Sequence, residues 1–335
     1  MLRIFCIILT FFSFAAHTAE KQDVLILGGG VGGVSAAIYL ARAGYKPIVI
    51  EGKNPGGLIS QSHLVQNWPG EKEIAGYDLF IKLKEQAEAC GAVFYSESVK
   101  SVDFSKRPFQ IVTTSTSKED TEKKYLASSC IIAMGTTPNF LNVEGEKTYW
   151  GKGITNCAVC DGPLYIGKTV GIVGGSDSAL TEAEYLSKLA KKVYIFVRKD
   201  KFRTVEKERE SSVLAKDNVE VLFNTEVKKI VGDDARVQKV VVQDHGALKE
   251  VQLDGLFLSI GSKPNTKIFQ NQLKLDEKGY IALKPQEYQQ TSVEGVYAVG
   301  DIVDPVFKQA ITAAGDGARA ALEAKEFLAE KNRQL

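Results

Sequence analysis

Short runs of wholly apolar residues recur along the chain, and two of them open the same larger pattern. Val24 to Leu27 is apolar at every position, which predicts a strand buried on both faces of a parallel sheet. The glycines of "GGGVGG" follow, and then a helical period predicted to run to about Ala43. A second apolar run, Pro47 to Ile50, ends in Glu51. The order returns at Val170 to Val173: a glycine turn, a helix to about Leu189, and a strand over Val193 to Val197. Two more predicted strands, in "CIIAMGTTPN" and "VYAVGD", end at Gly135 and Gly300, with Asp301 just beyond. From Lys308 an Ala-rich helical segment is expected, interrupted near its start by Gly315 and Gly317.

The first pattern carries Gly28-x-Gly30-x-x-Gly33 between strand and helix, and an acid about 20 residues on. In a dinucleotide site the first glycine makes the tight turn, the second lets backbone approach a pyrophosphate, and the third packs helix on strand. Helix N-terminal amides then hold the phosphates, and Glu51 is placed to accept from a ribose hydroxyl. The second pattern reads Gly174-Gly175-Ser176-Asp177-Ser178-Ala179, with Ser176 in the place of the second glycine. Its closing strand ends in Arg198 and Lys199, with Arg203 soon after, instead of an acid. Cations there accommodate a 2'-phosphate, so the first site suits FAD or NAD and the second NADPH. The bland alternative for "RKDKFR" is an ordinary solvated charged face. Asp301, at the carboxyl end of a strand, stands where open α/β sheets bind ligands.

At 335 residues the chain has room for two domains, and 44% hydrophobic with 25% charged residues is a globular balance. Lys plus Arg is 42 and Asp plus Glu is 41, so no overall positive field gathers phosphate backbones, and no nucleic-acid partner is expected. Residues 1–19 read as a leader: Arg3, an apolar run from Ile4 to Ala16, then small residues near Thr18 and Ala19. They are expected to be an export signal or an N-terminal membrane anchor, with a cytoplasmic protein as the alternative.

"NCAVCDG" raises a redox centre, a metal half-site or two core thiols. A zinc site needs two more ligands, and His17, His63 and His245 make no ligand-like pair, so no metal is expected. Cys90 and Cys130 are expected to be small buried hydrophobes. Asp161-Gly162 predicts a turn beside the pair. With two dinucleotide sites inferred, the pair reads as a dithiol: NADPH reduces a flavin, the flavin reduces the Cys157/Cys160 disulfide, and the dithiol reduces something outside. A helix N-terminus beside the motif is the simplest way to stabilise the thiolate, and Asp161 is the candidate for proton transfer.

From about Gln22 onward the chain resembles the low-molecular-weight, bacterial-type thioredoxin reductases, through "GGGVGG", "GGLISQSHLVQNWPG", "AMGTTPN", "CAVCDG", "GGSDSA", "RKDKFR" and "VYAVGDIVDPVFKQA". The resemblance implies an α/β fold of two Rossmann-like nucleotide-binding domains, the NADPH domain (141–263) inserted in the FAD domain (20–140 and 264–335). It adds Gly57, Asn67, Gln309 and Ala310 to Gly28, Gly30, Gly33, Glu51, Gly135, Gly300 and Asp301 as residues for FAD. For NADPH it implies Gly174, Ser176, Asp177, Ser178 and Ala179, with Arg198, Lys199 and Arg203. It further implies that Cys160 faces the flavin, that Cys157 attacks the disulfide of thioredoxin or a thioredoxin-like protein, that Asp161 is the acid, and that the chain is a homodimer. One domain is expected to rotate on the other about crossings near Pro138 to Gly145 and Gly261 to Thr266.

Three positions depart from the family pattern. Val197-Arg198-Lys199 stands for His-Arg-Arg, Pro163-Leu164-Tyr165 for aromatic residues that meet thioredoxin, and Leu58 for a glutamine near FAD. Two other functions fit the residues less well: an FAD-dependent dithiol oxidase passing electrons to oxygen, and a non-catalytic flavin-binding sensor.

Overall fold

The computed structural model describes residues 20–117 and 121–334; the expected leader, residues 1–19, lies outside the described residues. The first apolar run is the inner half of β1 (Glu20–Leu27), and Val24 to Leu27 are fully buried. There follow α1 (Val31–Arg42), β2 (Ile48–Ile50), α2 (Gly76–Ala89) and β3 (Val93–Tyr95). Next come β4 (Glu97–Asp103), β5 (Phe109–Ser115) and β6 (Glu122–Ile132), an antiparallel meander whose alternating burial along β5 matches a sheet with one covered face. Then β7 (Thr136–Pro138) leads out of this sheet.

The middle of the chain repeats the plan. It runs α3 (Glu146–Tyr149), β8 (Ile154–Thr155), α4 (Ala158–Asp161), β9 (Thr169–Val173), α5 (Asp177–Leu186), β10 (Lys192–Val197), α6 (Lys207–Leu214) and β11 (Val219–Phe223). An antiparallel trio, β12 (Thr225–Gly232), β13 (Val237–Asp244) and β14 (Ala247–Gln252), precedes β15 (Gly255–Leu258) and β16 (Ser262–Pro264). The chain closes with β17 (Val296–Ala298) and α7 (Ala310–Gln334).

Two sheets with parallel cores result. One has the order β3-β2-β1-β6, with β17 pairing parallel along the second half of β6 and β5 antiparallel along the first half. The other has the order β11-β10-β9-β15-β8, parallel throughout. Each sheet has its own core: Ile26, Val34, Leu40 and Phe327 against the helix side of the first, and Ile172, Leu180, Leu186 and Ile195 in the second. The two crossings expected to be hinges lie side by side, because β7 pairs antiparallel with β16 through Ser262↔Pro138 and Pro264↔Thr136.

Two expectations are corrected. Gly315 and Gly317 do not interrupt α7, which runs unbroken over 25 residues. A Cβ on Gly317 would stand 2.1 Å from the Gly32 carbonyl oxygen, so this glycine is what lets α7 lie directly against α1, and that packing outweighs the roughly 1 kcal/mol helix penalty. The second unit's helix stops at Leu186 rather than about Leu189, where the Ser187 hydroxyl turns back to the Glu184 carbonyl. Among the described residues, no helix is long and apolar enough to cross a membrane.

Candidate active site

The carboxyl ends of β1, β6 and β17 converge on the first glycine turn. Gly28 has φ +113°, and a Cβ there would stand 2.2 Å from the Ala133 carbonyl oxygen; one on Gly33 would stand 2.0 Å from the Gly28 carbonyl oxygen. Gly30 differs, since its nearest protein atom would lie 3.9 Å away. Gly30 is the N-cap of α1, no side chain caps that end, and the first turn carries no acid. The uncapped amides and their dipole suit a pyrophosphate, which a Cβ on Gly30 would obstruct.

Glu51 follows β2 and is 6% exposed, with its Oε1 accepting from Lys84 Nζ of α2 at 2.9 Å. A cleft of about 1460 Å³ starts at Gly28 and Gly30, takes in Glu51, Gly57, Asn67 and Gly135, and continues past Gly300, Asp301, Gln309 and Ala310. Gly33 stands behind it as a packing contact. Burial raises the Asp301 carboxyl, Lys308 opposing, and Thr136 Oγ1 donates to its Oδ2 at 3.4 Å.

The same cleft reaches the dithiol. β8 ends at Thr155, Cys157 becomes the N-cap of α4, and Cys160 and Asp161 ride on that single turn. The expected turn at Asp161-Gly162 is therefore the end of a helical turn that passes into a 3-10 turn over Gly162–Tyr165. Cys157 and Cys160 form a disulfide, and the Cys160 amide donates to Cys157 Sγ at 3.1 Å, so a backbone N–H aims at a sulfur it would stabilise as a thiolate. The Gln309 side chain meets both sulfurs: Nε2 lies 3.8 Å from Cys157 Sγ and Oε1 3.7 Å from Cys160 Sγ. Asn67 Nδ2 donates to that Oε1 at 3.3 Å and so orients the amide. The half-buried Asp161 carboxyl is raised by burial, while the Thr155 hydroxyl donates to it and opposes the rise.

In the second unit, Ser176 is the N-cap of α5, again with no side-chain cap. Gly174 packs under it, where a Cβ would stand 2.5 Å from the Ser259 carbonyl oxygen, and Ala179 is buried in the core beneath. The Asp177 carboxylate is turned away to the Thr204 hydroxyl, which holds it below its usual range. Asp177 and Ser178 reach the large cleft, whereas Lys199 and Arg203 line a neighbouring cavity of about 640 Å³. Arg198 is exposed at the strand end and does not line that cavity.

Three residues of the site had no sequence signal: Lys84, Thr155 and Glu182. Glu182, on the cleft side of α5, has an Oε2 with no well-formed hydrogen bond among the described residues, and burial pushes its carboxyl up to about 7, opposed by the Ser259 hydroxyl. Cys130 is fully buried and its thiol is pushed up by burial; Cys90 is only half-buried, at the end of α2.

The family model of the pyridine nucleotide-disulphide oxidoreductases matches residues 22–317. NADPH-dependent thioredoxin reductase 3 of Arabidopsis thaliana is 38% identical over 321 residues, covering 93% of this chain and 59% of that longer protein. The thioredoxin reductase of Coxiella burnetii is 38% identical over 322 residues, covering 93% of this chain and 98% of that one. Among solved structures, the thioredoxin reductase from Giardia duodenalis is similar with a TM-score of 0.85 at 38% identity, covering 92% of this chain and 99% of that chain.

Proposed function

The chain belongs to the pyridine nucleotide-disulphide oxidoreductase family, and on that premise we propose that it is an NADPH-dependent flavoprotein disulfide reductase acting on thioredoxin. The observation that carries this reading is the position of the Cys157–Cys160 disulfide: it lies in the same cleft as the uncapped α1 N-terminus, against Gln309. When bound, FAD supplies a two-electron carrier between nicotinamide and disulfide. The net change is that NADPH, a proton and a disulfide give NADP+ and two thiols. A dithiol oxidase using oxygen needs no NADPH site, and the cavity walled by Lys199 and Arg203 is what such an oxidase would lack.

In this reading Gly28, Gly30 and Gly57 cradle the pyrophosphate of FAD, Glu51 takes its adenosine ribose, and Gly135, Gly300 and Asp301 approach it from the other strand ends. Asn67, Gln309 and Ala310 border its reactive ring, and Gly33 keeps helix on strand. Gly174, Ser176, Asp177, Ser178 and Ala179 form the NADPH turn, with Lys199 and Arg203 for its 2'-phosphate and Arg198 exposed outside their cavity. Cys160 faces the flavin, Cys157 attacks thioredoxin, and Asp161 moves the proton. Separate cores and the β7·β16 junction support an FAD domain of 20–140 and 264–335 around an NADPH domain of 141–263.

A homodimer also belongs to this reading, supported by the exposed Tyr39 of α1 and the exposed Leu322 of α7, on helices that pack together. Residues 1–19 are read as an export signal or anchor on their pattern alone.

The test is anaerobic spectroscopy of the purified protein lacking residues 1–19. NADPH is expected to bleach the flavin and oxidised thioredoxin to restore its colour; Cys157→Ser is expected to keep FAD and bleaching but lose the recovery. Bleaching without recovery in the unmutated protein would overturn thioredoxin as acceptor, and no bleaching would overturn the relay.

A further inference from the structure

We propose that Thr155 is a positioning residue for the dithiol reaction, holding the Asp161 carboxyl beside Cys157 through both protonation states. The proposal rests on the disulfide-reductase reading above. The Thr155 hydroxyl donates to Asp161 Oδ2 and accepts from the Cys157 backbone N–H at 3.2 Å. The Asp161 amide in turn donates to the Cys157 carbonyl at 3.1 Å, so the three residues close a small ring around one helical turn. Thr155 is itself fixed, because β8 pairs parallel with β15 through Phe257↔Thr155.

A hydroxyl suits this place because it is both donor and acceptor. While Asp161 is ionised, Thr155 donates to it; when Asp161 takes a proton, the free lone pair of Thr155 accepts. The carboxyl stays in place through a cycle that must charge and discharge it. In the exchange step the Cys157 thiolate attacks one sulfur of the substrate disulfide, forming a Cys157–substrate bond as the substrate S–S bond breaks. The departing thiolate takes the proton from Asp161. Cys160 then loses its proton to Asp161 and attacks Cys157 Sγ, re-forming the disulfide as the Cys157–substrate bond breaks; the second substrate thiolate leaves and takes that proton from Asp161, which ends ionised. Two electrons and two protons have passed from the dithiol to the substrate.

Among the described residues, the other charged and titratable groups around this carboxyl are the following. Tyr165 follows on the 3-10 turn, with Asp254 and Arg236 acting on it and Lys168 over its ring, and Tyr185 of α5 lies against Gly162. None of them bonds Asp161, which leaves Thr155 as the hydroxyl in contact.

The test uses the FAD-loaded enzyme with Thr155→Val, Thr155→Ala and Thr155→Ser. Thioredoxin reduction driven by NADPH is followed against pH, and so is iodoacetamide alkylation of Cys157 in enzyme reduced with dithiothreitol. Positioned general acids contribute about 10²- to 10⁴-fold, so a loosened one is expected to cost at least about tenfold in kcat with KM for thioredoxin within about twofold. Because the Thr155 bond lowers the Asp161 carboxyl, its loss is expected to move the basic limb to higher pH. The inflection that Asp161 imposes on Cys157 alkylation is expected to move the same way in Thr155→Val and to vanish in Asp161→Asn. Thr155→Ser is expected to return both readouts to within about twofold of the unmutated enzyme, and Thr155→Val to add no loss in an Asp161→Asn background.

An unchanged pH profile in Thr155→Val, or a Thr155→Ser enzyme as impaired as Thr155→Val, would overturn the proposal. If Thr155→Val fails to fold, Thr155→Ala carries the same test without adding a methyl. The alkylation profile needs neither NADPH nor thioredoxin, so it decides the role of Thr155 even where the enzyme proves to serve another acceptor.

Discussion

Lys84 Nζ lies 2.9 Å from Glu51 Oε1 across 33 residues of chain, and both side chains are largely sheltered from solvent. The ammonium also lies 4.9 Å from the centre of the Phe94 ring, so it is held from two sides. One carboxylate oxygen is thereby engaged while Glu51 still borders the cleft, which would fix the carboxylate for the ribose that the proposed reading assigns to it. Removing one partner of a partly sheltered ion pair leaves the other uncompensated and costs about 1 kcal/mol or more. Lys84→Met is expected to lower the apoprotein's stability by about that amount and to raise the Kd for FAD at least about tenfold, read by flavin fluorescence. The double variant Lys84→Met/Glu51→Gln is expected to regain most of the stability and still bind FAD weakly. Full FAD affinity in Lys84→Met would show that the pair does not orient Glu51.

Glu182 makes stability depend on pH in a defined direction. Its carboxyl is raised from an ordinary 4.5 to about 7, so the folded state holds the proton more tightly than the unfolded chain does. The benefit is fully present below pH 4.5 and is lost as pH rises toward 7, by about 3 kcal/mol at most. Glu182→Gln is expected to leave stability at pH 4 nearly unchanged and to raise it above pH 7 in the absence of nucleotide, measured by urea unfolding across pH. Equal destabilisation at both ends would mean that the carboxyl is not strained by burial.

Local pattern was enough for the two strand–glycine–helix units, because a buried parallel strand and a helix each write their period within ten or so residues. Glu51, the dithiol and the cations at the end of β10 were legible for the same reason. What pattern could not show was pairing at a distance. Lys84 reads as one more polar position on an amphipathic helix, and only the fold brings it to Glu51. Thr155 reads as an unremarked strand residue until α4 curls Asp161 back over it. Gly317 reads as a helix breaker because a helix-breaking residue and a close-packing residue look alike in sequence, and the Gly32 carbonyl beside it tells them apart; Gly315, with nothing within 4 Å of an added Cβ, is tolerated inside the long helix.

Lys199 and Arg203 wall the smaller cavity while Arg198 stands outside it, which separates three cations that look equivalent in sequence. A hydrogen bond to a charged group is worth about 1.5–3 kcal/mol, so Arg203→Ala is expected to raise KM for NADPH about tenfold or more at unchanged kcat. KM for NADH is expected to stay within about twofold, since NADH has no 2'-phosphate for Arg203 to meet. Arg198→Ala is expected to change KM for NADPH by less than about twofold. Lys199→Arg, which restores a bidentate fork, is expected to lower it. Steady-state kinetics with both nucleotides at two salt concentrations checks all three, and equal effects of Arg198→Ala and Arg203→Ala would contradict the cavity assignment.

Two glycines of the first turn separate folding from cofactor binding. Gly30 has φ −74° and ψ 178°, a conformation any residue adopts, and a Cβ there would touch no protein atom closer than 3.9 Å. Gly30→Ala is therefore expected to fold with stability within about 1 kcal/mol of the unmutated apoprotein. Its methyl would project where the backbone must approach a pyrophosphate, so FAD affinity is expected to fall by two orders of magnitude or more. Gly33 faces the opposite problem: a Cβ there would stand 2.0 Å from the Gly28 carbonyl oxygen, a backbone atom that cannot move without shifting β1 or α1. Gly33→Ala is expected to destabilise the apoprotein by several kcal/mol, with FAD loss as a consequence. Urea unfolding of the two apoproteins beside flavin titration of the same samples distinguishes the cases, and a Gly30→Ala protein that keeps FAD would rule out this turn as the pyrophosphate cradle.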